Sequence, residues 1–120
     1  MALSKLASDR GKVAENFVAN LLSSKGYKIL ERNFRSKFGE IDIIALDGES
    51  VVFVEVKARW NRNFGSPEEA VTSQKLYKIR KTVEYFSLLH SSLPARQRIE
   101  VVALEMAEDK IVSSRIIAVD

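Results

Sequence analysis

The spacing of hydrophobic residues changes along the chain and predicts two helices and five strands. Apolar residues lie three and four positions apart over residues 8–25, as on one side of a helix, and Gly26 is placed to end that helix. The same spacing predicts a second helix that begins at Thr72 or Ser73 and runs to Leu89. Alternating or continuous apolar runs predict one strand over residues 27–34, two within 39–59, and others over 99–105 and 111–119. The predicted order of elements is α-β-β-β-α-β-β.

The buried side of each predicted helix follows from the same spacing. The expected core residues of the first helix are Val13, Ala14, Phe17, Val18, Leu21 and Leu22, and those of the second are Leu76, Ile79, Val83, Phe86 and Leu89. Lys75 lies beside the second apolar stripe, and His90 is expected to cap its C-terminal end. The segment Ser66-Pro67-Glu68-Glu69 has the composition of a helix start and predicts a short turn before the second helix.

Two predicted strands between residues 39 and 59 carry acids inside apolar runs. Successive side chains of a strand point to opposite faces, so Glu40, Asp42 and Ile44 are expected on one face. Ile41 and Ile43 are expected on the other. A desolvated charge is costly unless it is paired or bound to a cation. The acids therefore indicate a function that a purely structural sheet would not need.

The second of these strands repeats the pattern. Phe53, Glu55 and Lys57 are expected on one face, with Val54 and Val56 on the other. Whether the two sets of acids meet depends on the turn between the strands. A two-residue turn at 47–48 or 48–49 places Asp42 on the same face as Glu55 and Lys57, whereas a three-residue loop without a bulge would separate Asp42 from Glu55.

Two converging carboxylates form a suitable site for Mg²⁺. This ion typically takes one or two protein carboxylates and completes its octahedral shell with water and substrate phosphate. The carbonyl of Val56 is a candidate further ligand, and Lys57 could orient or deprotonate a metal-bound water. Asp42, Glu55, Val56 and Lys57 thus predict metal-dependent hydrolysis of phosphodiester bonds.

Composition excludes several other classes of chemistry. The chain has 120 residues, which we interpret as one domain (1–120), with no cysteine and a single histidine. Thiolate zinc sites and nucleophilic catalysis by a Cys–His or Ser–His pair are therefore excluded. No apolar run has the length of a membrane span and no signal peptide is expected, so the sequence predicts a cytoplasmic protein with no membrane partner. The net charge of +3, with 11 of the 19 Lys and Arg residues in positions 1–65, favours a polyanionic partner.

Some charged residues permit two interpretations. Glu15 is either an early helix acid that suits the helix dipole or an acid that overlooks a site at the rim of the sheet, and the spacing favours the first. Arg32, Arg35 and Lys37 form either a solvated sheet edge or a phosphate clamp.

The loop over residues 58–65 is equally open. Trp60 and Phe64 either pack back onto the core or form an arm that stacks on nucleic acid, and the sequence does not choose between them.

The order of these residues resembles the PD-(D/E)XK nuclease superfamily, with its restriction-endonuclease-like fold. More narrowly, the chain resembles the uncharacterised YraN-like family, which is similar to archaeal Holliday junction resolvases. The motifs that carry this resemblance are Gly11-x-x-Ala14-Glu15, Arg32-Asn33-x-Arg35, Gly39-Glu40-Ile41-Asp42, Phe53-Val54-Glu55-Val56-Lys57-x-Arg59 and Phe64-Gly65-x-Pro67 with Lys75. Two positions depart from the expected pattern: Ile41 replaces a proline, and Glu100 stands where an aspartate would be expected after Arg98-Ile99.

The resemblance implies an α/β fold with a central mixed β-sheet flanked by α-helices. It also implies a site of the magnesium type formed by Glu15, Asp42, Glu55 and Lys57, which favours the second interpretation of Glu15. We expect an Mg²⁺- or Mn²⁺-dependent endonuclease that acts on DNA, with branched DNA as a candidate substrate and a homodimer as a candidate assembly. The expected phosphate contacts are Arg32, Arg35, Lys37, Arg59, Arg62 and Lys75.

Two other classes of protein compete with this hypothesis. One is a non-catalytic module that retains the fold and binds nucleic acid or docks a partner. The other is a purely structural network of lysines and carboxylates, which is disfavoured because grouped carboxylates repel one another without a cation.

Overall fold

Seven elements make up the part of the chain that the computed structural model describes, which is residues 3–60, 71–108 and 110–119, with side chains from Arg10 onward. The elements are α1 (Leu3–Ser24), β1 (Lys28–Ser36), β2 (Gly39–Asp47), β3 (Ser50–Arg59), α2 (Ser73–Leu89), β4 (Arg96–Ala107) and β5 (Lys110–Ala118). This order confirms the predicted α-β-β-β-α-β-β arrangement. Arg62, Phe64 and the predicted helix start at residues 66–69 lie outside the described residues.

The five strands form one mixed sheet in the order β1-β2-β3-β4-β5. β3 and β4 are parallel, and the other neighbouring strands are antiparallel. A parallel pair needs a long crossover connection, and α2 lies in that connection between β3 and β4. No helix of the described residues is long and apolar enough to cross a membrane.

The two helices cover opposite faces of the sheet, each over its own buried cluster. The cluster on the α1 face contains Ala14, Val18, Leu22, Ile43, Ala45, Val52, Val54 and Val102. The cluster on the α2 face contains Ile41, Ile44, Val51, Phe53, Ile79, Val83, Phe86 and Ile99. Each fully buried Val, Leu or Phe side chain stabilises such a core by about 1.5–3 kcal/mol.

The two helices lie where they were predicted, but two residues that were expected to be buried are exposed. Gly26 ends α1 with a φ of +93°, and the Tyr27 N–H donates to the Leu22 carbonyl, as expected for a glycine-terminated helix. α2 begins at Ser73, directly after its N-cap Thr72, which confirms the predicted start. Val13 and Leu89, which were predicted to be buried, are 51% and 55% exposed because they lie at the edges of their apolar stripes.

The hairpin between β2 and β3 has the register that the predicted site requires. Asp47 pairs with Ser50 across a two-residue turn at 48–49, and Gly48 adopts a φ of +59°, which glycine tolerates without strain. Alternation along β3 is also confirmed, since Phe53 packs on the α2 face and Val54 on the α1 face.

Alternation fails on β2, where the prediction that Ile41 and Ile43 share a face was wrong. Ile41 packs in the α2-face cluster and Ile43 in the α1-face cluster. Arg32 pairs with Ile43 and Phe34 with Ile41 in one register, and the register shift of these two strands lies earlier, between Ile29 and Glu31. The change of faces at Asn33 and Asp42 is therefore not a shift of register. Asn33 has a φ of +55°, a left-handed conformation that asparagine adopts more readily than most residues. Both strands therefore change faces together at Asp42.

Candidate active site

The site lies where β2 and β3 separate. Their backbone ladder runs from Asp47–Ser50 to Ile43–Val54. At the next step the Val56 N–H donates to the Asp42 carboxylate at 2.7 Å, so a side-chain oxygen takes the place of a backbone acceptor. The N–H and C=O of one strand residue point to the same edge, and the Val56 carbonyl therefore faces the same gap. Asp42 and Val56 direct oxygen atoms to one place.

Glu55 adds a second carboxylate to this gap. It lies on the α2 face of β3 and is only 8% exposed. Burial, together with the nearby charge of Asp42 and a hydrogen bond between the two carboxyl groups, raises the pKa of Glu55 to about 7, and Lys75 and Lys57 offset part of that shift. Two carboxylates this close cannot both ionise easily without a cation between them. The pair is therefore chemically suited to binding a divalent metal ion.

Two lysines approach the same oxygen of Glu55. Lys75 Nζ lies 3.5 Å and Lys57 Nζ 3.8 Å from Glu55 Oε1. Burial and the neighbouring Lys75 lower the pKa of Lys57. Burial alone would lower the pKa of Lys75, but its hydrogen bond with Lys57 and the charge of Glu55 raise it overall. Lys75 is thus the more firmly charged of the two, and Lys57 the one better able to exchange a proton.

The first turn of α2 brings Lys75 to the site. The Thr72 side chain caps the helix by accepting a 3.1 Å hydrogen bond from the Lys75 N–H. Ile79, one turn further along, is buried against the sheet and fixes the helix above β2. The N-cap and the apolar stripe together set the position from which Lys75 reaches Glu55.

Glu15 approaches from the opposite face, and the helix-dipole interpretation of this residue was wrong. α1 begins at Leu3, so Glu15 lies about three turns inside it, whereas the dipole acts mainly within the first turn. Burial and the charge of Asp42 raise the pKa of Glu15, while a hydrogen bond with Asn33 and the charge of Arg32 lower it. Glu15 is therefore electrostatically linked to Asp42.

Within the described ranges, no group of three or more His, Cys, Asp or Glu side chains converges closely enough to hold a metal ion. The donors that do converge are the carboxylates of Asp42 and Glu55 and the carbonyl of Val56. This set fits the chemistry of Mg²⁺, which needs only one or two protein carboxylates. Glu15 is linked to Asp42 by charge but is not one of the converging oxygen donors.

The predicted phosphate-binding residues are placed differently from one another. Arg32 donates a 2.8 Å hydrogen bond to Asn16 and lies 3.9 Å from Glu15, and the exposed Arg35 lies 3.5 Å from Glu40.

The structure brings Lys75 into the site, and alternation along β3 puts Arg59 on the face of Glu55 and Lys57. Arg59 Nε is one of two buried side-chain nitrogens without a hydrogen-bond partner among the described residues. Lys37 lies in the turn between β1 and β2.

Trp60 packs onto the core rather than forming a projecting arm. It is half-buried against the α1-face cluster, and Arg10 lies 5.3 Å above its ring. Its Nε1 is the second buried side-chain nitrogen that lacks a hydrogen-bond partner within the described part of the chain. The core-packing interpretation of Trp60 is therefore confirmed, and that of Phe64 stays a prediction.

Comparison with known proteins gives the family of this chain. The model of the uncharacterised protein family UPF0102 matches residues 14–104, a range that includes every element of the site. The chain belongs to this family. It is 46% identical over 99 residues to a UPF0102 protein of Sulfurihydrogenibium sp. (strain YO3AOP1), which covers 82% of this chain and 85% of that protein. It is 41% identical over 106 residues to a UPF0102 protein of Caldanaerobacter subterraneus subsp. tengcongensis, covering 88% and 87% of the two chains.

The sequence did not predict a second polar cluster in this UPF0102 protein. Arg98 donates to Asp47 at 2.6 Å and to the Tyr27 hydroxyl at 2.9 Å, and its Nε lies 3.3 Å from Glu100. The Tyr27 hydroxyl donates to the buried Glu100 at 3.0 Å. The hydrogen bond with Asp47 is the main reason that the pKa of Arg98 is raised. Arg98 and Glu100 are two residues apart on β4 and so share a face, whereas Tyr27 and Asp47 are distant in sequence and no local pattern joins them to this cluster.

This cluster also contains Glu100, one of the two positions that depart from the expected pattern. Its register partner is Val54, which faces α1, whereas Glu55 faces α2. Glu100 therefore belongs to a satisfied ion-pair network on the α1 face and takes no part in the site.

Proposed function

We propose that this protein is a metal-dependent endonuclease that hydrolyses phosphodiester bonds in DNA, including branched DNA. The observation that carries the proposal is the convergence of Asp42, Glu55 and the Val56 carbonyl on one gap, with Lys57 and Lys75 at its mouth. The resemblance to PD-(D/E)XK nucleases supports the same conclusion. A structural ion pair would need one lysine and one carboxylate, and the site holds two of each.

Asp42, Glu55 and Val56 would hold Mg²⁺ or Mn²⁺, and Glu15 would support Asp42 from the α1 side. When bound, the ion supplies Lewis acidity and lowers the pKa of a coordinated water. Lys57 has a lowered pKa and can accept or return a proton at Nζ, so it is the residue that would orient the attacking water. Lys75 carries the positive charge that would bind an oxygen of the scissile phosphate.

Binding of DNA is proposed to extend beyond these groups. Arg59 follows Lys57 on the same face, and its Nε has no hydrogen-bond partner among the described residues, which suits a phosphate contact. Arg32, Arg35, Lys37 and Arg62 are the other proposed phosphate contacts. A homodimer in the cytoplasm would allow symmetric cleavage of two strands.

Cleavage assays test the proposal directly. Purified protein is incubated with branched and linear DNA in Mg²⁺ or Mn²⁺, alongside Glu55→Ala and Lys57→Ala. Glu49→Gln is the matched control, because Glu49 is an exposed acid in the turn of the same hairpin. Cleavage that needs Glu55 and Lys57 but not Glu49 is the expected result. Cleavage of equal rate in all variants would mean a contaminating nuclease.

The second candidate is a non-catalytic nucleic-acid-binding module. It is favoured by the two lysine ammonium groups that lie 3.5 and 3.8 Å from Glu55 Oε1 and offset part of its negative charge. Calorimetric titration with Mg²⁺ and Mn²⁺ separates the candidates. Binding by the wild type that is lost in Asp42→Asn supports the nuclease, and no binding by the wild type supports the module.

A further inference from the structure

The β1–β2 turn (residues 36–39) packs against α2. The fully buried Thr82 donates to the Lys78 carbonyl at 2.9 Å, and its Oγ1 lies 3.3 Å from Ser36 Oγ. A Cβ on Gly39 would lie 3.7 Å from Lys78 Cβ, so the turn and the helix are in van der Waals contact. The Phe38 N–H also donates to Ser36 Oγ at 3.0 Å, which fixes the turn internally. Turn and helix therefore form one continuous surface.

This surface combines lysines with exposed aromatic rings. We call it the turn–helix surface and define it by Lys37, Phe38, Tyr77, Lys78 and Lys81. Phe38 is 37% and Tyr77 61% exposed. Lys37 Nζ lies 5.2 Å from the Phe38 ring centroid, and Lys81 Nζ lies 5.7 Å from that of Tyr77. Each ring thus has an ammonium group beside it.

The turn–helix surface adjoins the candidate active site. Lys75 reaches Glu55, and Lys78 follows it after three residues, a rise of about 4.5 Å along the helix. A phosphate backbone that passes Lys75 can therefore continue onto Lys78 and Lys37. Arg32, on the α1 side of the gap, already contacts Asn16 and Glu15. The lysines that could bind a DNA backbone therefore lie on the α2 side.

Exposed rings beside lysines suit unpaired bases. A duplex hides the faces of its bases, whereas a single strand presents them, and aromatic side chains bind them by stacking while cations track the backbone. Resting on the function proposed above, we infer that the turn–helix surface binds a single-stranded DNA arm next to the cleaved bond. The substrate class is then duplex DNA that carries an unpaired arm.

Equilibrium binding in EDTA tests this inference without any cleavage. Fluorescence anisotropy compares a labelled duplex with a single-stranded arm against a blunt duplex of equal length, at one salt concentration. The wild type should bind the armed duplex about tenfold more tightly, because unpaired bases can stack on the exposed rings. Phe38→Ala with Tyr77→Ala should lower the ratio to about one. Phe38→Tyr with Tyr77→Phe retains both rings and should keep the wild-type ratio.

Lysine variants test whether the phosphate backbone of the DNA arm passes over Lys78. Lys78→Glu should weaken binding of the armed duplex at least fivefold more than Lys25→Glu, a matched exposed lysine directly after α1. Equal affinity of the wild type for both DNAs, a ratio that survives loss of both rings, or equal effects at Lys78 and Lys25 would overturn the inference. If the protein prefers the armed duplex but shows no cleavage that depends on Glu55, the proposed nuclease activity is refuted and the inferred arm-binding surface is supported. Glu55-dependent cleavage without an arm preference would do the opposite.

Discussion

The Asp42 carboxylate accepts a 2.7 Å hydrogen bond from the Val56 backbone N–H and so closes, with a side chain, the ladder between β2 and β3. One carboxylate thereby has two roles, since it ends the strand pairing and offers its remaining oxygen sites to the gap. The change of faces at Asn33 and Asp42 makes this possible, because regular alternation would direct Asp42 out of the plane of the sheet.

The two roles of Asp42 can be separated by substitution. Asp42→Asn retains an oxygen acceptor for the Val56 N–H and removes the negative charge beside Glu55. Asp42→Ala leaves that N–H without its partner. We expect Asp42→Ala to be about 1–3 kcal/mol less stable than Asp42→Asn in denaturant unfolding of the metal-free protein. Equal stability of the two variants would show that the hydrogen bond contributes nothing to the fold.

The stability of the metal-free protein should depend on the protonation of Glu55. Its pKa is 4.5 in the unfolded reference and about 7 in the folded protein, so the folded state binds more protons between these values. The contribution of Glu55 to the free energy of unfolding is therefore greatest below about pH 4.5 and falls as pH rises to about 7, by up to about 3 kcal/mol. Glu55→Gln should remove this component, which denaturant unfolding from pH 4.5 to 8 would measure. Superimposable pH profiles for wild type and variant would contradict the assignment.

Lys75 should compete with a metal ion for Glu55. Its Nζ lies 3.5 Å from Glu55 Oε1, so a divalent ion at the gap must bind close to an existing positive charge. Lys75→Met should bind Mg²⁺ about three- to tenfold more tightly than wild type in calorimetry without DNA, because it removes that repulsion. The same variant should bind DNA more weakly. Lys25→Met is the control for loss of one charge, and weaker Mg²⁺ binding by Lys75→Met would be the opposite of the expected result.

The N-cap of α2 should affect both stability and the site. Thr72→Ala removes the oxygen that accepts from the Lys75 N–H and should destabilise the protein by about 0.5–2 kcal/mol. Because Lys75 lies in the turn that this bond orders, DNA binding should also weaken at temperatures where the variant is fully folded. Thr72→Ser retains the hydroxyl and should behave like the wild type. Thermal unfolding and anisotropy measure the two effects.

The ion-pair network on the α1 face should matter for stability alone. Arg98→Ala leaves the buried Glu100 without its charged partner and should cost about 3–5 kcal/mol in denaturant unfolding. Arg98→Ala together with Glu100→Gln should recover part of that loss. Mg²⁺ affinity of the folded variants should match the wild type, since Glu100 faces α1 and Glu55 faces α2. A changed metal affinity would link the two clusters.

The sequence by itself determined the elements and the side chains that would carry chemistry. Strict alternation along β3 placed Glu55 and Lys57 on one face, because that signal is local. The sequence left the length of the turn open, and the structure selected the two-residue form at Gly48-Glu49. The apolar spacing likewise predicted that α2 begins at Thr72 or Ser73, and the structure shows that Thr72 is its N-cap.

Tertiary structure decided how those residues meet. The left-handed Asn33 and the change of faces at Asp42 depend on the pairing of β1 with β2, which no period-two pattern can anticipate. The approach of Lys75 to Glu55, and the network joining Tyr27, Asp47, Arg98 and Glu100, depend on packing between residues distant in the chain. Local patterns specify which face a side chain occupies, and only the folded chain specifies what it faces.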